Sequence, residues 1–202
     1  MKTKISYLLL GLGLLFTLSC TKYPPSSDRL LEDLVVLTQY DTKVKFSDYK
    51  TYSIAPAILK ITDKDTINMT GSTAQAVLDQ IKKDMDSRGF SEVASTAKPD
   101  FGIQVFYYQN TTVTAYYGGY WGYNYWGYYY PYYPVYYSSY TSGALTIDLV
   151  DLKYANPANQ KLYARWNGFI RGLLTGDHTQ LEITSKVHQA FVQTPELKTT
   201  AK

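Results

Sequence analysis

The chain has 202 residues, 45% of them hydrophobic and 18% charged, which is globular composition with room for one domain and little room for two. The formal net charge is +3. Two of the lysines, Lys2 and Lys4, fall in a segment read below as removed, leaving 18 basic side chains against 17 acidic ones, a balance that excludes the basic stripe of a nucleic-acid binder. The single cysteine, Cys20, excludes an internal disulfide, so a packed core alone must hold the fold.

Met1-Lys2-Thr3-Lys4 is basic, and Ile5 to Leu18 carries no charge over 14 residues. That run is short for a bilayer-spanning helix and suits the apolar region of a signal peptide. It ends in Phe16-Thr17-Leu18-Ser19-Cys20, which resembles a bacterial lipoprotein box, with Thr17 where that box usually has Leu. Residues 1–19 are therefore expected to be a signal peptide and Cys20 the lipidation site. Acyl chains gain about 0.8 kcal/mol per buried CH₂, so more than one chain gives a stable anchor. Thr21 follows Cys20 where Asp would favour the inner membrane, so the expected partner is the outer membrane, on either its periplasmic or its surface face. Residues 20–32 read as the lipidated Cys and a tether, with Pro24-Pro25 extended and Ser26-Ser27 solvated; Arg29 to Asp33 allows one helical turn.

Leu34 to Tyr40 and Thr51 to Ile54 read as strands, and Ile58 to Ser72 as a loop or weak hairpin. Thr73 to Arg88 carries Ala74, Val77, Leu78, Ile81 and Met85 on one helical stripe. Ser72 or Thr73 is the expected cap and Gly89 the C-terminal stop. Phe101, Ile103 and Val105 alternate with Gly102, Gln104 and Phe106 in a strong strand. Leu145, Ile147 and Leu149 alternate with Thr146 and Asp148 in the next. In Lys161 to Arg171, Leu162, Ala164, Trp166, Gly168 and Ile170 fall on one face, leaving Arg165, Asn167 and Arg171 for water. A last helix is expected from a cap at Asp177 through Thr194, with Ile183, Val187, Ala190 and Phe191 inward and Pro195 as its stop. Residues 196–202 form a polar tail, expected to fray.

Several of these segments together resemble a bacterial lipoprotein family known as domain of unknown function 4136. The matching residues are Tyr40-Asp41 with Phe46-Ser47-x-Tyr49-Lys50-Thr51-Tyr52, Gly89-Phe90-x-x-Val93, Asp100-Phe101-x-Ile103, and a hairpin containing Ile147-Asp148-x-x-Asp151 and Trp166-x-Gly168. The resemblance spans residues 33 to 195.

Between the strands ending near Val105 and beginning at Leu145 lies the least ordinary stretch. Residues 107–140 hold 15 of the 22 tyrosines, plus Trp121 and Trp126, and no charged residue. Its candidate binding residues are Tyr116, Tyr117, Tyr120, Trp121, Tyr123, Tyr125, Trp126, Tyr128, Tyr129 and Tyr130. Four readings stay open. The stretch is a long low-complexity loop, a recognition surface whose flat amphipathic rings suit glycan or protein, a membrane-interface contact, or a self-associating segment.

Catalytic constellations are not evident. His178 and His188, read as one helix, stand ~15 Å apart along its axis, and each reads as a solvated or helix-edge side chain. Asp148 and Asp151, three apart on a strand, face opposite sides and cannot flank one bond unless a bulge intervenes; solvation and turn capping is the expected role. No catalytic residue, metal set or cofactor is assigned. The expected architecture is α+β: an antiparallel β-sheet of about five or six strands with two helices on one face, and the aromatic stretch as a long hairpin insert. The domain spans 33–195. The expected function is a non-enzymatic, membrane-anchored envelope lipoprotein acting as a scaffold or binding module. Its partners would be the membrane, a cell-envelope glycan or protein, or a second copy, and not nucleic acid. The alternative is an envelope enzyme with a site that sequence does not reveal.

Overall fold

A computed structural model of the chain describes residues 34–62, 65–109, 113–114, 132–133, 139–140, 143–156, 161–173 and 177–199. The expected signal peptide, Cys20, the tether and the ten candidate binding aromatics lie outside these residues.

Strands β1 (Val35–Tyr40), β2 (Thr51–Ile54), β3 (Ile58–Ile61) and β4 (Thr66–Met69) precede helix α1 (Ser72–Ser87). Then come β5 (Ser91–Glu92), β6 (Phe101–Tyr108), the short β7 (Val113–Thr114), β8 (Tyr132–Tyr133) and β9 (Ser139–Tyr140), and the long pair β10 (Ala144–Asn156) and β11 (Lys161–Arg171). Helix α2 (Gln180–Val192) closes the order.

Among the described residues nine strands share one sheet, where about five or six were expected. Its spine runs β1-β11-β10-β6-β2-β5, with β3 also on β6, β4 on β3 and β8 on β11. The expected all-antiparallel sheet is corrected to a mixed one. The pairs β1/β11, β11/β10, β10/β6 and β3/β4 are antiparallel. β2 and β3 both run parallel to β6, with Tyr52–Ile54 beside Phe101–Ile103 and Leu59–Ile61 beside Phe106–Tyr108. The reason is α1: the chain leaves β2 and β3, crosses through the helix, and returns along β6 in the same direction, as a helical crossover requires. Ile58 to Met69, expected as a loop or weak hairpin, is a hairpin whose first strand joins the main sheet.

Both helices bury their apolar stripes in one core. Ala74, Val77, Leu78, Ile81 and Met85 of α1 and Val187, Ala190 and Phe191 of α2 meet Tyr52, Phe101, Ile103, Val105, Leu145, Ile147, Leu149, Trp166 and Ile170. Gly71, at φ +115°, precedes α1 and offers no side chain to cap it, so neither Ser72 nor Thr73 serves. Gly89 ends α1 as expected, at φ +86°, in a conformation open to glycine at low cost. Helix α2 starts later than expected. Thr179, not Asp177, is its cap: its hydroxyl accepts from the Glu182 amide at 3.2 Å and Glu182 accepts from the Thr179 amide at 2.7 Å. This reciprocal box satisfies two otherwise unpaired amides.

The opposite face of the sheet is also dry. Leu59, Ile61, Phe106, Tyr108, Ala144, Val150, Leu152, Leu162, Ala164 and Phe169 form a second buried cluster. Leu162 and Ala164 therefore do not share a face with Trp166, Gly168 and Ile170. A bulge separates them: Leu149 pairs with Trp166 but Val150 pairs with Ala164, leaving Arg165 as the extra residue. One extra residue inverts the alternation of everything beyond it. Asn167, expected in water, is buried. The tail is corrected too. Leu197 is fully buried in the main core, and the Thr199 amide donates to the Arg88 carbonyl at 3.1 Å, so the domain continues past 195.

Candidate functional site

The motif residues that carried the family resemblance converge around the first turn of the domain. Arg165, freed from the strand alternation by its bulge, donates from Nη1 to Asp41 at 2.8 Å and from Nε to Asp151 at 3.0 Å. Asp151 also accepts from the Tyr49 hydroxyl at 3.0 Å and the Tyr154 amide at 3.0 Å. Tyr49 stacks on Phe101 with ring centres 4.0 Å apart. Burial, reinforced by the Asp151 charge and hydrogen bond, pushes the Tyr49 phenol far above its ordinary range, so it stays a donor. Burial alone would depress Arg165, but the Asp151 hydrogen bond and charge outweigh it and hold the guanidinium above its usual value. Asp100 accepts from the amides of Lys50 at 2.7 Å and Thr51 at 3.2 Å. These carboxylates pin β2, β6, β10 and β11 to one another. Asp151, expected to serve solvation and turn capping, instead lies buried in this network, while its amide acceptor contact to Tyr154 does support the strand end.

A different chemistry sits on the second face. Gln104 pairs across from Asp148, and Asp148 across from Asn167. Three polar side chains thus cross β6, β10 and β11 in one row, with Thr146 two residues along β10 from Asp148. Gln104, Thr146, Asp148 and Asn167 are all buried. Asn167 donates from Nδ2 to Asp148 Oδ1, and Gln104 donates from Nε2 to the Val105 carbonyl at 3.0 Å. Gln104 Oε1 and Thr146 Oγ1 have no hydrogen-bond partner among the described residues. Asp148 and Asp151 do face opposite sides, as the spacing requires, but Asp148 too is buried rather than solvating.

The aromatic stretch enters and leaves this face. Tyr107 and Tyr108 end β6, and Tyr108 belongs to the second-face cluster. Beyond them, Val113–Thr114 pairs antiparallel with Ser139–Tyr140. Tyr132–Tyr133 pairs in parallel with Leu162–Tyr163 of β11. β6 and β11 are separated by β10, and Leu162 lies eight residues from Ile170, ~26 Å along the strand. The described part of the stretch is thus more than a hairpin tip: it returns to the sheet on a different strand. At that junction the Arg165 guanidinium stands 5.3 Å from the Tyr163 ring centre, and Tyr163 and Tyr154 are exposed. Of the candidate residues Tyr116 to Tyr130, none lies among the described ones.

The histidines are not both on α2. His178 precedes the helix, with Nε2 3.0 Å from the Gly172 carbonyl. His188, expected to be merely solvated, meets Asp84 of α1 through Nδ1 at 2.6 Å. The polar row was legible in one respect. On β6 and β10, Gln104, Thr146 and Asp148 alternate in step with Phe106, Tyr108, Val150 and Leu152, a pattern inconsistent with a wet face. The Asp84–His188 contact, 104 residues apart, left no such trace. Among the described residues no group of three or more His, Cys, Asp or Glu is arranged to hold a metal ion, and no helix is long and apolar enough to cross a membrane.

Comparison with curated proteins returns no match. Among solved structures the chain is similar to a family protein from Bacteroides thetaiotaomicron VPI-5482, at 27% identity and a TM-score of 0.66, over 82% of this chain and 97% of that one. PelC dodecamers from Paraburkholderia phytofirmans in two crystal forms align at 10% identity, with TM-scores of 0.42 and 0.43, over 84% of this chain and all of theirs. The family model described as domain of unknown function (DUF4136) matches residues 36–196, and the chain belongs to that family.

Proposed function

We propose that this protein is a non-enzymatic lipoprotein of the bacterial envelope, anchored in the outer membrane through acylated Cys20, whose aromatic stretch 107–140 binds a neutral envelope glycan. One observation carries the binding reading: the uncharged aromatic stretch is tied back to β11 at Tyr132–Tyr133, beside exposed Tyr163. Tyrosine and tryptophan rings stack on sugar faces at low entropy cost. The absence of charge in the stretch favours a neutral ligand over an ionic one.

Two measurements test this. Cys20→Ala moves the protein from the membrane to the soluble fraction; retention in the membrane refutes the anchor. The intact chain co-sediments with purified peptidoglycan sacculi, and deletion of Tyr116 to Tyr137 abolishes this while cooperative urea unfolding persists. Equal sedimentation of the deleted protein refutes glycan binding by the stretch.

A further inference from the structure

Helices α1 and α2 do not close on each other completely. Gln80, Lys83, Asp84 and Ser87 of α1 and Leu181, Thr184, Ser185 and His188 of α2 line an open groove of about 280 Å³. This is the helical side of the sheet. At its floor, Asp84 is buried, and each of its carboxylate oxygens is engaged: Oδ1 by His188 Nδ1 at 2.6 Å and Oδ2 by Gln80 Nε2 at 2.9 Å. The Ser87 hydroxyl donates to the Asp84 carbonyl at 2.8 Å. A carboxylate accepts only, so Nδ1 of His188 carries a proton toward Asp84, and the imidazolium form carries a second one on Nε2. The ring is thereby fixed, and Nε2 is left on its open part; the His188 side chain is 57% exposed.

Buried Asp84 is the one acid in the groove, and its charge is offset by Arg88, which feels it as an opposing charge. Lys83 adds a further cation, with no ion pair among the described residues. The groove is therefore a concave surface with an oriented imidazole, an uncommitted ammonium and the Ser185 hydroxyl, the Thr184 hydroxyl donating to the Gln180 and Leu181 carbonyls, and with no carboxylate oxygen left open. That donor set matches a tetrahedral oxyanion: an ammonium serves phosphate as a point charge, and charge-assisted donors are the strong ones. Exposed Leu181 at the rim offers an apolar contact for whatever group the phosphate carries.

We propose that the groove between α1 and α2 binds the phosphate group of a small ligand, with Lys83 Nζ and, in the imidazolium form, His188 Nε2 donating to its oxygens. The phosphate belongs to either a soluble phosphate monoester or a lipid headgroup. The site is independent of glycan binding by residues 107–140, and either can fail alone.

The test follows the imidazole nitrogen resonances of the full-length chain in detergent, at constant pH and ionic strength. The probes are inorganic phosphate, a short-chain phosphatidate and acetate. The expected result is a saturable shift at His188 Nε2 with phosphate, phosphatidate or both, while His178 stays still as an internal control. Saturation by inorganic phosphate assigns a soluble source, and saturation by phosphatidate alone a lipid one. Lys83→Met, on the exposed rim, weakens binding at least tenfold with the His188–Asp84 coupling intact. Equal non-saturating drift of both histidines, saturation by acetate alone, or unchanged affinity in Lys83→Met overturns the proposal.

Discussion

Replacing Gly168 with alanine tests the packing logic of β11 most directly. A Cβ at Gly168 would stand 2.6 Å from Trp166 Cη2, 3.2 Å from Cζ3 and 3.3 Å from the Ala190 Cβ. Ordinary carbon contacts sit near ~3.5–4.0 Å, so the indole must move by about 1 Å. It has little freedom to do so. Trp166 is fully buried, donates from Nε1 to the Thr194 hydroxyl at 2.9 Å and lies against Phe191 with ring centres 4.9 Å apart. Overpacking of this kind costs ~1–3 kcal/mol, reduced by ~0.4–1 kcal/mol because alanine restricts the unfolded chain. The net expected loss is about 1–2 kcal/mol. The clashing atoms belong to the six-membered part of the indole, which Trp166→Phe removes at its own cost of ~2–4 kcal/mol for lost packing and an unpaired Thr194 hydroxyl. With that part gone, the added methyl has room. The double variant should therefore lose less than the two single losses together, by about 1 kcal/mol or more. Urea titration of the full-length chain in detergent reads all four corners of the cycle. Additivity to within ~0.5 kcal/mol, or an unchanged urea midpoint for Gly168→Ala, would refute the account.

Asp151→Asn should cost about 2–3 kcal/mol in the same titration, because it weakens charge-assisted bonds from Arg165 and Tyr49 at a buried oxygen; a loss below ~0.5 kcal/mol, typical of surface changes, would show that Asp41 alone holds Arg165. Thr179→Ala removes the cap of α2 and should cost ~1 kcal/mol, with amide exchange accelerating first in residues 180–184; uniform acceleration across the helix counts against a local cap. Glu182 accepts from the Thr179 amide and hydroxyl, which lowers its carboxyl below the ordinary value. A depressed folded value means this stabilisation is fully present above the ordinary carboxylate range and is lost as pH falls through the lowered value. The amides of α2's first turn should accordingly lose protection in acid, and loss that begins near neutrality instead would assign the effect to another group. Tyr49 and Tyr52, both raised strongly by burial and by neighbouring carboxylates, should remain un-ionised in absorbance titrations until the protein unfolds in alkali.

Much of the fold was written locally. The α1 stripe, the alternation in β6 and β10, and the stop at Gly89 depend on residues within one or two turns of each other, and periodicity captures them. The faces of β11 were misread because a bulge is specified by pairing with β10 rather than by the strand itself: nothing in Leu162-Tyr163-Ala164-Arg165-Trp166 marks Arg165 as the extra residue. The parallel placement of β2 and β3 was missed for the same reason, since strand direction depends on where α1 delivers the chain. The capping box at Thr179 was present as Thr179-x-x-Glu182, and Asp177 two residues earlier competed for the same role.

By itself the sequence determined that this is a mixed helix and strand domain of its family, which segments form its main elements, and that an uncharged aromatic stretch interrupts it between two strands. Those are properties of neighbours in the chain, where hydrogen-bond period and side-chain polarity act together. Only the tertiary structure decided that both faces of the sheet are dry, that Gln104, Asp148 and Asn167 line up across three strands, that Tyr132–Tyr133 returns to β11, and that Asp84 meets His188 across 104 residues. Burial and pairing of polar groups are set by what packs against them. A glutamine, an aspartate or a histidine has the same local propensity in water as beneath a sheet, so its chemistry becomes readable only where distant segments close around it.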